Sequence, residues 1–255
     1  MLSFENVTAG YGDEPVITDV SFTVEAGEVV SLLGPNGVGK TTLLKTAVGL
    51  HAPSSGTVSV GGTPVDDLAR NDLAKRIGYV PQKEENSMPS TVFETLLMGR
   101  KPYMGVRPSD EDREIVSNVL EELGLADLAM RDVRSLSGGQ FQKVTVARAF
   151  VQQPEALVLD EPTSDLDIRY EQEVLTAIRE WAREGHAVLQ AMHDLSVALR
   201  FSDRFVFLSD DGVHAVGGSE VVTAEVIESV YGVPVELIET DDGKFVTPTR
   251  DAGAD

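Results

Sequence analysis

The sequence predicts an α/β fold built on a mixed, mostly parallel sheet. Short, mostly apolar runs at Val29–Leu33, residues 156–159 and Ala187–Ala191, broken only by Ser31 and Gln190, have the pattern of strands buried on both faces. Helical patterns lie between them, and that alternation implies a sheet covered by helices on both sides. A third observation is a stretch from about Lys83 to Gln153 that carries only helical patterns, as an insertion into the sheet would.

In chain order, residues 20–24 alternate and end at the turn Glu25-Ala26-Gly27-Glu28. The buried run Val29–Leu33 leads into a glycine-rich stretch from Gly34 to Gly39. A helix is expected over residues 40–48, stopped near Gly49. Residues 57–60 and Ile77–Val80 read as further strands, so the first ~80 residues are read as strands and one helix. Helices are expected at residues 91–100, at 109–123 with Ser109 as N-cap and Asp112 three residues on, and from about Gly138 to Phe150. Strands return at 156–159, Ala187–Ala191 and 204–208. Between the first two lies an amphipathic helix with Ile168, Val174, Leu175, Ile178 and Trp181 on its apolar stripe. No repeat, low-complexity block or long linker interrupts the chain.

Composition excludes several function classes. With 255 residues and 42% hydrophobic content, one large domain or two closely joined ones with a packed core are expected. There is no cysteine, so disulfides, thiolate metal sites and cysteine nucleophiles are ruled out. No apolar run reaches the ~18–20 residues that span a bilayer. The opening Met1-Leu2-Ser3-Phe4-Glu5-Asn6 lacks the basic and apolar blocks of a secretory leader, so a chain that stays in the cytoplasm is expected. Charge is the unusual feature. Forty-two acids face 21 bases, a formal net charge of −21, and arginine outnumbers lysine 14 to 7. That balance argues against nucleic acid as a partner, since phosphate backbones need clustered bases. It also suits a high-salt cytoplasm, because at about 1 M salt the Debye length is roughly 3 Å and self-repulsion is mostly screened.

The strongest motif is Gly34-Pro35-Asn36-Gly37-Val38-Gly39-Lys40-Thr41, a match to G-x-x-x-x-G-K-[ST] between a buried strand and a helix. Glycines let backbone amides wrap a phosphate chain at a helix N-terminus. Lys40 brings positive charge to the β- and γ-phosphates, and the Thr41 hydroxyl can ligate Mg²⁺. The second element is Ala156-Leu157-Val158-Leu159-Asp160-Glu161, an apolar strand ending in two acids. Successive side chains of a strand point to opposite sides, so the acids can divide the work. Asp160 suits a cation held through oxygen ligands, and Glu161 suits a general base facing water. A strand end with a solvated acidic turn is the plainer alternative.

Between these two lies Leu136-Ser137-Gly138-Gly139-Gln140, which opens a helix with a hydroxyl and free amides aimed outward. With all three motifs in this order, the sequence resembles the ATP-binding subunits of ABC transporters over nearly its whole length. The resemblance implies an ABC-type P-loop ATPase core with an N-terminal antiparallel β subdomain and an inserted helical subdomain. On that pattern residues 1–240 are the ATPase domain, the insertion is about 84–152, and 241–255 form a C-terminal tail. It implies ATP and Mg²⁺ as ligands and Gly34, Pro35, Asn36, Gly37, Val38, Gly39, Lys40, Thr41 and Thr42 as the ATP-binding segment. Tyr11 falls where an aromatic ring stacks on adenine. Gln82 matches the glutamine that touches Mg²⁺ beside Thr41 and Asp160. His193 matches the histidine that bonds the γ-phosphate, and Ser164-Asp165-Leu166-Asp167 resembles a loop that crosses the dimer interface. Two subunits would sandwich two ATP molecules, each completed by the other's Ser137, Gly138, Gly139 and Gln140. His51, His186 and His214 fit no metal-ligand spacing and are read as incidental.

Residues 91–103 and the closing stretches 221–225 and 230–233 resemble the ATPases of iron–siderophore, haem and cobalamin importers. That implies transmembrane permease subunits, an external substrate-binding protein, a peripheral position on the inner face of the membrane, and a groove near residues 82–91 for the permease. Importers of other metals or oxyanions share much of this pattern. A soluble ABC-type ATPase, such as an iron–sulfur assembly partner, and a non-hydrolysing nucleotide sensor stay open at this stage.

Overall fold

The computed structural model describes residues 1–12, 14–84, 89–164, 166–240 and 243–249. In chain order the elements are β1 (Leu2–Tyr11), β2 (Glu14–Val24), β3 (Val29–Leu33), α1 (Lys40–Ala47), β4 (Ser55–Val60), β5 (Thr63–Pro64), α2 (Arg70–Arg76) and β6 (Ile77–Val80). The helical stretch follows as α3 (Val92–Met98), α4 (Asp110–Glu122) and α5 (Gly138–Phe150). Then come β7 (Ala156–Asp160), α6 (Ile168–Arg183), β8 (Ala187–Ala191), α7 (Leu195–Phe201), β9 (Arg204–Ser209) and β10 (Gly212–Gly217). The chain closes with α8 (Ala224–Tyr231), β11 (Val235–Thr240) and β12 (Gly243–Pro248).

The central sheet has the order β10-β9-β3-β8-β7-β6, parallel except where β10 pairs antiparallel with β9. Its inner strands are buried on both faces because alternate residues feed separate cores. Val29 and Leu33 of β3 face the core shared with α5 and α6, whereas Val30 and Leu32 face the core shared with α1 and the smaller sheet. β7 divides in the same way, with Leu157 and Leu159 on one side and Ala156 and Val158 on the other. Full burial of such side chains is worth about 1.5–3 kcal/mol each, so the apolar runs commit these strands to the middle of the sheet. The second sheet, β2-β1-β4-β5, is antiparallel throughout, and β11 and β12 form a separate hairpin.

Three local expectations need correcting. α2 joins α1 in the first 80 residues; no residue of α2 is buried, so no apolar stripe marks it. β1 is a long strand whose alternation is broken by register shifts, with Asn6 and Asp19 at positive φ and Asn6 Nδ2 donating to Asp19 Oδ1 at 2.7 Å. Ile168 leaves the apolar stripe of α6: it is 81% exposed at the first turn, while Val174, Leu175, Ile178 and Trp181 are buried.

Helix starts follow local chemistry. Thr91, Ser109 and Ser137 each form a capping box, with Glu94, Asp112 and Gln140 respectively. Asp112 also holds the buried guanidinium of Arg100 at 3.0 Å, which ties α4 to the chain just after α3. Among the described residues no helix is long and apolar enough to cross a membrane.

Candidate active site

The parallel strands β3, β7 and β8 deliver their C-terminal ends to one edge of the sheet, where ligands of open α/β sheets bind. After β3 the backbone turns through Gly34 (φ 151), Gly37 (φ 86) and Gly39 (φ 104) before α1 begins. Gly34 and Gly39 need glycine for space as well as for φ. A Cβ at Gly34 would lie 2.5 Å from the Leu208 carbonyl oxygen, and one at Gly39 would lie 2.5 Å from Ile17 Cγ2.

Lys40 is 6% exposed and its Nζ donates to the carbonyls of Gly34 (2.5 Å) and Pro35 (3.0 Å). Burial pulls its ammonium below the usual lysine range, against the opposing pull of Glu161 and Asp160. The ammonium is thus poorly solvated, a state that an approaching phosphate relieves. One residue on, the Thr41 hydroxyl donates to Asp160 Oδ1 at 3.2 Å. Asp160 ends β7 at 2% exposure, and burial pushes its carboxyl above the ordinary value; the Thr41 hydrogen bond opposes that rise, and Glu161 adds to it. Two hard oxygen donors side by side, one of them a buried carboxylate with its charge incompletely offset, fit a divalent cation such as Mg²⁺. Among the described residues no group of three His, Asp or Glu side chains surrounds a cation position.

Glu161 has φ 50, a conformation few non-glycine residues adopt, and its N–H donates to Ala191 O at 3.2 Å. The turn swings its carboxylate away from Asp160. Oε2 accepts from Gln82 Nε2 at 2.5 Å, and Oε1 meets His193 Nε2. Gln82 follows β6 and His193 follows β8, so three strand ends converge on one carboxylate. A cleft of about 480 Å³ is lined by Tyr11, Val16, Asn36, Gly37, Gly39, Lys40, Thr41, Thr42, Gln82, Glu161 and His193. Its volume lies within the range of small-molecule sites.

The other expected residues lie outside that lining. Gly34 and Pro35 supply carbonyls beneath Lys40, Val38 is buried in the core, and Asp160 sits behind Thr41. Ser137, Gly138, Gly139 and Gln140 are not brought to this cleft. Ser137 Oγ accepts from Gln140 N–H (3.3 Å), Gln140 Oε1 accepts from Ser137 N–H (3.1 Å), and Ser137 and Gly138 are exposed. A Cβ at Gly139 would overlap the Tyr170 ring of α6, so the exposed helix tip has glycine where it packs most closely. Of the segment 164–167, Asp165 lies outside the described residues; Ser164 N–H donates to Glu161 O at 3.2 Å, and Asp167 caps α6.

Three contributors escaped the sequence reading. His51, read as incidental, lies beside the Tyr11 ring in a tilted arrangement, with centroids 4.9 Å apart. Val16 lines the cleft from β2, although nothing in its local pattern marks it. Tyr231 of α8 lies against the Gly34 amide; burial pushes its phenol up to about 12, and the amide pulls the other way.

Comparison with known proteins matches residues 17–164 to the ABC transporter family. The chain is 44% identical over 234 residues to an uncharacterized ABC transporter ATP-binding protein of Methanocaldococcus jannaschii, covering 91% of this chain and 92% of that one. It is 36% identical over 241 residues to the iron(3+)-hydroxamate import ATP-binding protein FhuC of Bacillus subtilis, covering 93% and 90%. Among solved structures, a chain of an ABC transporter in an inward-facing conformation, described as of metal-chelate type, superposes with a TM-score of 0.85 at 27% identity, covering 98% of each chain. The glycine loop, the paired acids, the exposed Ser-Gly-Gly tip and these likenesses agree: this chain belongs to the ABC transporter family and is an ATP-binding, ATP-hydrolysing subunit of it.

Proposed function

We propose that this chain drives a membrane importer of a metal chelate, of the iron–siderophore, haem or cobalamin kind, by binding and hydrolysing ATP. What carries the chemistry is the gathering of Lys40, Thr41, Gln82, Glu161 and His193 around one cleft, although they come from separate parts of the chain. The cargo class rests on the relative named for iron-hydroxamate import and on the likeness to a metal-chelate type transporter.

In this reading the adenine stacks on Tyr11, and the phosphates lie in the loop from Gly34 to Thr42. The amides of the loop and Lys40 hold the β- and γ-phosphates. Thr41, Gln82 and Asp160 would hold Mg²⁺, which supplies charge neutralisation on the phosphate oxygens when bound. Glu161 accepts a proton from the attacking water as its oxygen bonds to the γ-phosphorus. The bond from that phosphorus to the bridging oxygen breaks, releasing ADP and phosphate. His193 holds the γ-phosphate in line, and Gln82 reports its presence to the helical insertion. We take residues 1–240 as the ATPase domain with the insertion at about 84–152, and 241–255 as the tail, of which 243–248 return as β12.

The exposed Ser137–Gln140 tip, away from its own cleft, supports a symmetric dimer in which each tip completes the partner's site. Closure on ATP and reopening after hydrolysis are a population shift between two arrangements. The permease would dock on the groove of about 800 Å³ between α2 and the insertion, lined by Leu50, Leu73, Met98, Lys101 and Arg148 among others. None of the described residues among 82–91, the expected position, lines that groove, although Arg148 of its lining bonds Glu84 at 2.5 Å; 85–88 lie outside the described residues. With these partners and an external binding protein, the subunit sits on the inner face of the membrane.

The test is phosphate release by the purified chain with Mg²⁺ at low and molar salt, together with its recovery from detergent-solubilised membranes. Nucleotide cleavage and co-purification with a multi-span protein are expected. A chain that neither retains nor cleaves ATP under those conditions overturns the assignment.

A further inference from the structure

α7 begins directly after His193-Asp194, and the Asp194 carboxylate caps it by accepting the Val197 N–H at 3.0 Å. The helix has only 7 residues. Helices shorter than ~12–15 residues are marginal on their own, so the position of α7 depends on what it packs against.

Ala198 and Phe201 are buried in the core, Gln190 of β8 donates to Ser202 Oγ at 3.3 Å, and three further tethers join these. Arg179 of α6 donates to the Arg200 carbonyl at 2.7 Å. Ser202, the C-cap, shares a 2.7 Å hydrogen bond with Ser31 of β3, the strand that leads into the glycine loop. The third tether comes from the end of the chain. β12 runs against α7, and the Val246 N–H donates to Ser196 Oγ at 3.1 Å. Leu237 and Val246 are register partners, and Val235, Leu237 and Val246 of the hairpin and Leu195, Val197 and Leu199 of α7 all pack against the same main core. The opposite face of the hairpin carries the register pair Ile238 and Phe245, both exposed.

This geometry gives the hairpin a way to act on chemistry from a distance. His193 Nε2 meets Glu161 Oε1, and His193 is 46% exposed, so few neighbours confine the imidazole itself. Its direction is set by the backbone on either side, which is β8 before it and α7 after it. β8 is locked in the sheet by β3 and β7. α7 has no such ladder and is held by side-chain packing and the tethers above. We propose that the β11–β12 hairpin is a positioning element for His193: by bracing α7 through Ser196, Leu237 and Val246, it holds the imidazole against Glu161. The proposal rests on the γ-phosphate role assigned to His193 above.

The test uses full-length protein with Leu237→Asp and Ser196→Ala, each alone and combined with His193→Ala. At saturating MgATP, Leu237→Asp should lower kcat about tenfold and Ser196→Ala about threefold, while KM for ATP and Kd for ADP stay within about twofold. Both effects should vanish in the His193→Ala background, because a residue acting only through His193 has nothing left to position. If the hairpin variants slow the His193→Ala protein by the same factor as the parent, or raise KM and the ADP Kd together, the hairpin is merely structural and the proposal fails. If His193→Ala itself leaves kcat unchanged, the assigned role of His193 fails first and the hairpin proposal falls with it. Should Leu237→Asp lose its cooperative melt, Ser196→Ala decides: an effect independent of His193 overturns the proposal, and one confined to the parent background supports it.

Discussion

Gln82 Nε2 lies 2.5 Å from Glu161 Oε2, a hydrogen bond between residues 79 positions apart in the chain. The other carboxylate oxygen of Glu161 faces His193. A carboxylate held from both sides has its geometry set before a ligand arrives, which lowers the reorganisation a reaction there would need.

Glu161→Gln should keep the shape of the side chain but lose the proton acceptor. Hydrolysis is expected to fall by at least ~100-fold, within the 10²–10⁴ typical of a general base, and ATP should trap a stable dimer. Single-turnover phosphate release and light scattering with ATP measure both, and wild-type turnover would remove Glu161 from the role. Lys40→Ala should instead abolish nucleotide retention, because the loop then lacks its buried cation.

Asp160→Asn should stabilise the nucleotide-free chain while weakening its stabilisation by MgATP. Burial raises the Asp160 carboxyl above its usual value of 3.8, so the folded state binds that proton more tightly than the unfolded one. The burial cost is therefore fully present near neutral pH. It is relieved as pH falls through the raised value and is gone below the unfolded one. The melting midpoint of the variant should exceed that of the parent at pH 7, where the burial cost is fully present. The gap should close on acidification, as scanning calorimetry across pH would read.

Arg100→Ala should be strongly destabilising without touching the cleft. The guanidinium is 4% exposed, bonds Asp112 (3.0 Å), Val151 O (3.0 Å) and Gln153 (3.1 Å), and lies 4.1 Å from the Tyr103 ring centroid. Removing one member of a buried pair strands the other, at a cost of about 3–5 kcal/mol. A drop of about 10 °C in the melting midpoint is expected, and a drop under 2 °C would show that the insertion is held by other means.

Molar KCl should raise the unfolding midpoint over dilute buffer. The net charge of −21 makes the compact state self-repelling, and concentrated salt screens it. Equal midpoints at both ionic strengths would remove the halophilic reading of the composition.

Much of this architecture was legible in the chain because its signals are local. Val29–Leu33 is apolar except for Ser31 and the run before Asp160 is apolar throughout, and that pattern belongs to strands covered on both faces. The glycine loop announced itself by spacing, and Ser109 and Asp112 formed the predicted start of α4. α2 was hidden because it buries none of its residues, and β1 because its register shifts break the period of two. His51 and Val16 were hidden because their neighbours at the cleft are remote in the chain.

By itself, then, the sequence determined which strands are central, where a phosphate can be wrapped, and which acids end the strand beside it, since each depends on residues close together in the chain. Only the tertiary structure decided that Gln82 and His193 share Glu161, that the exposed Ser137 tip lies outside its own cleft, and that β12 returns to pack on α7. The physical reason is that these contacts join segments separated by tens of residues, and their geometry comes from the packing of the two cores rather than from any local pattern.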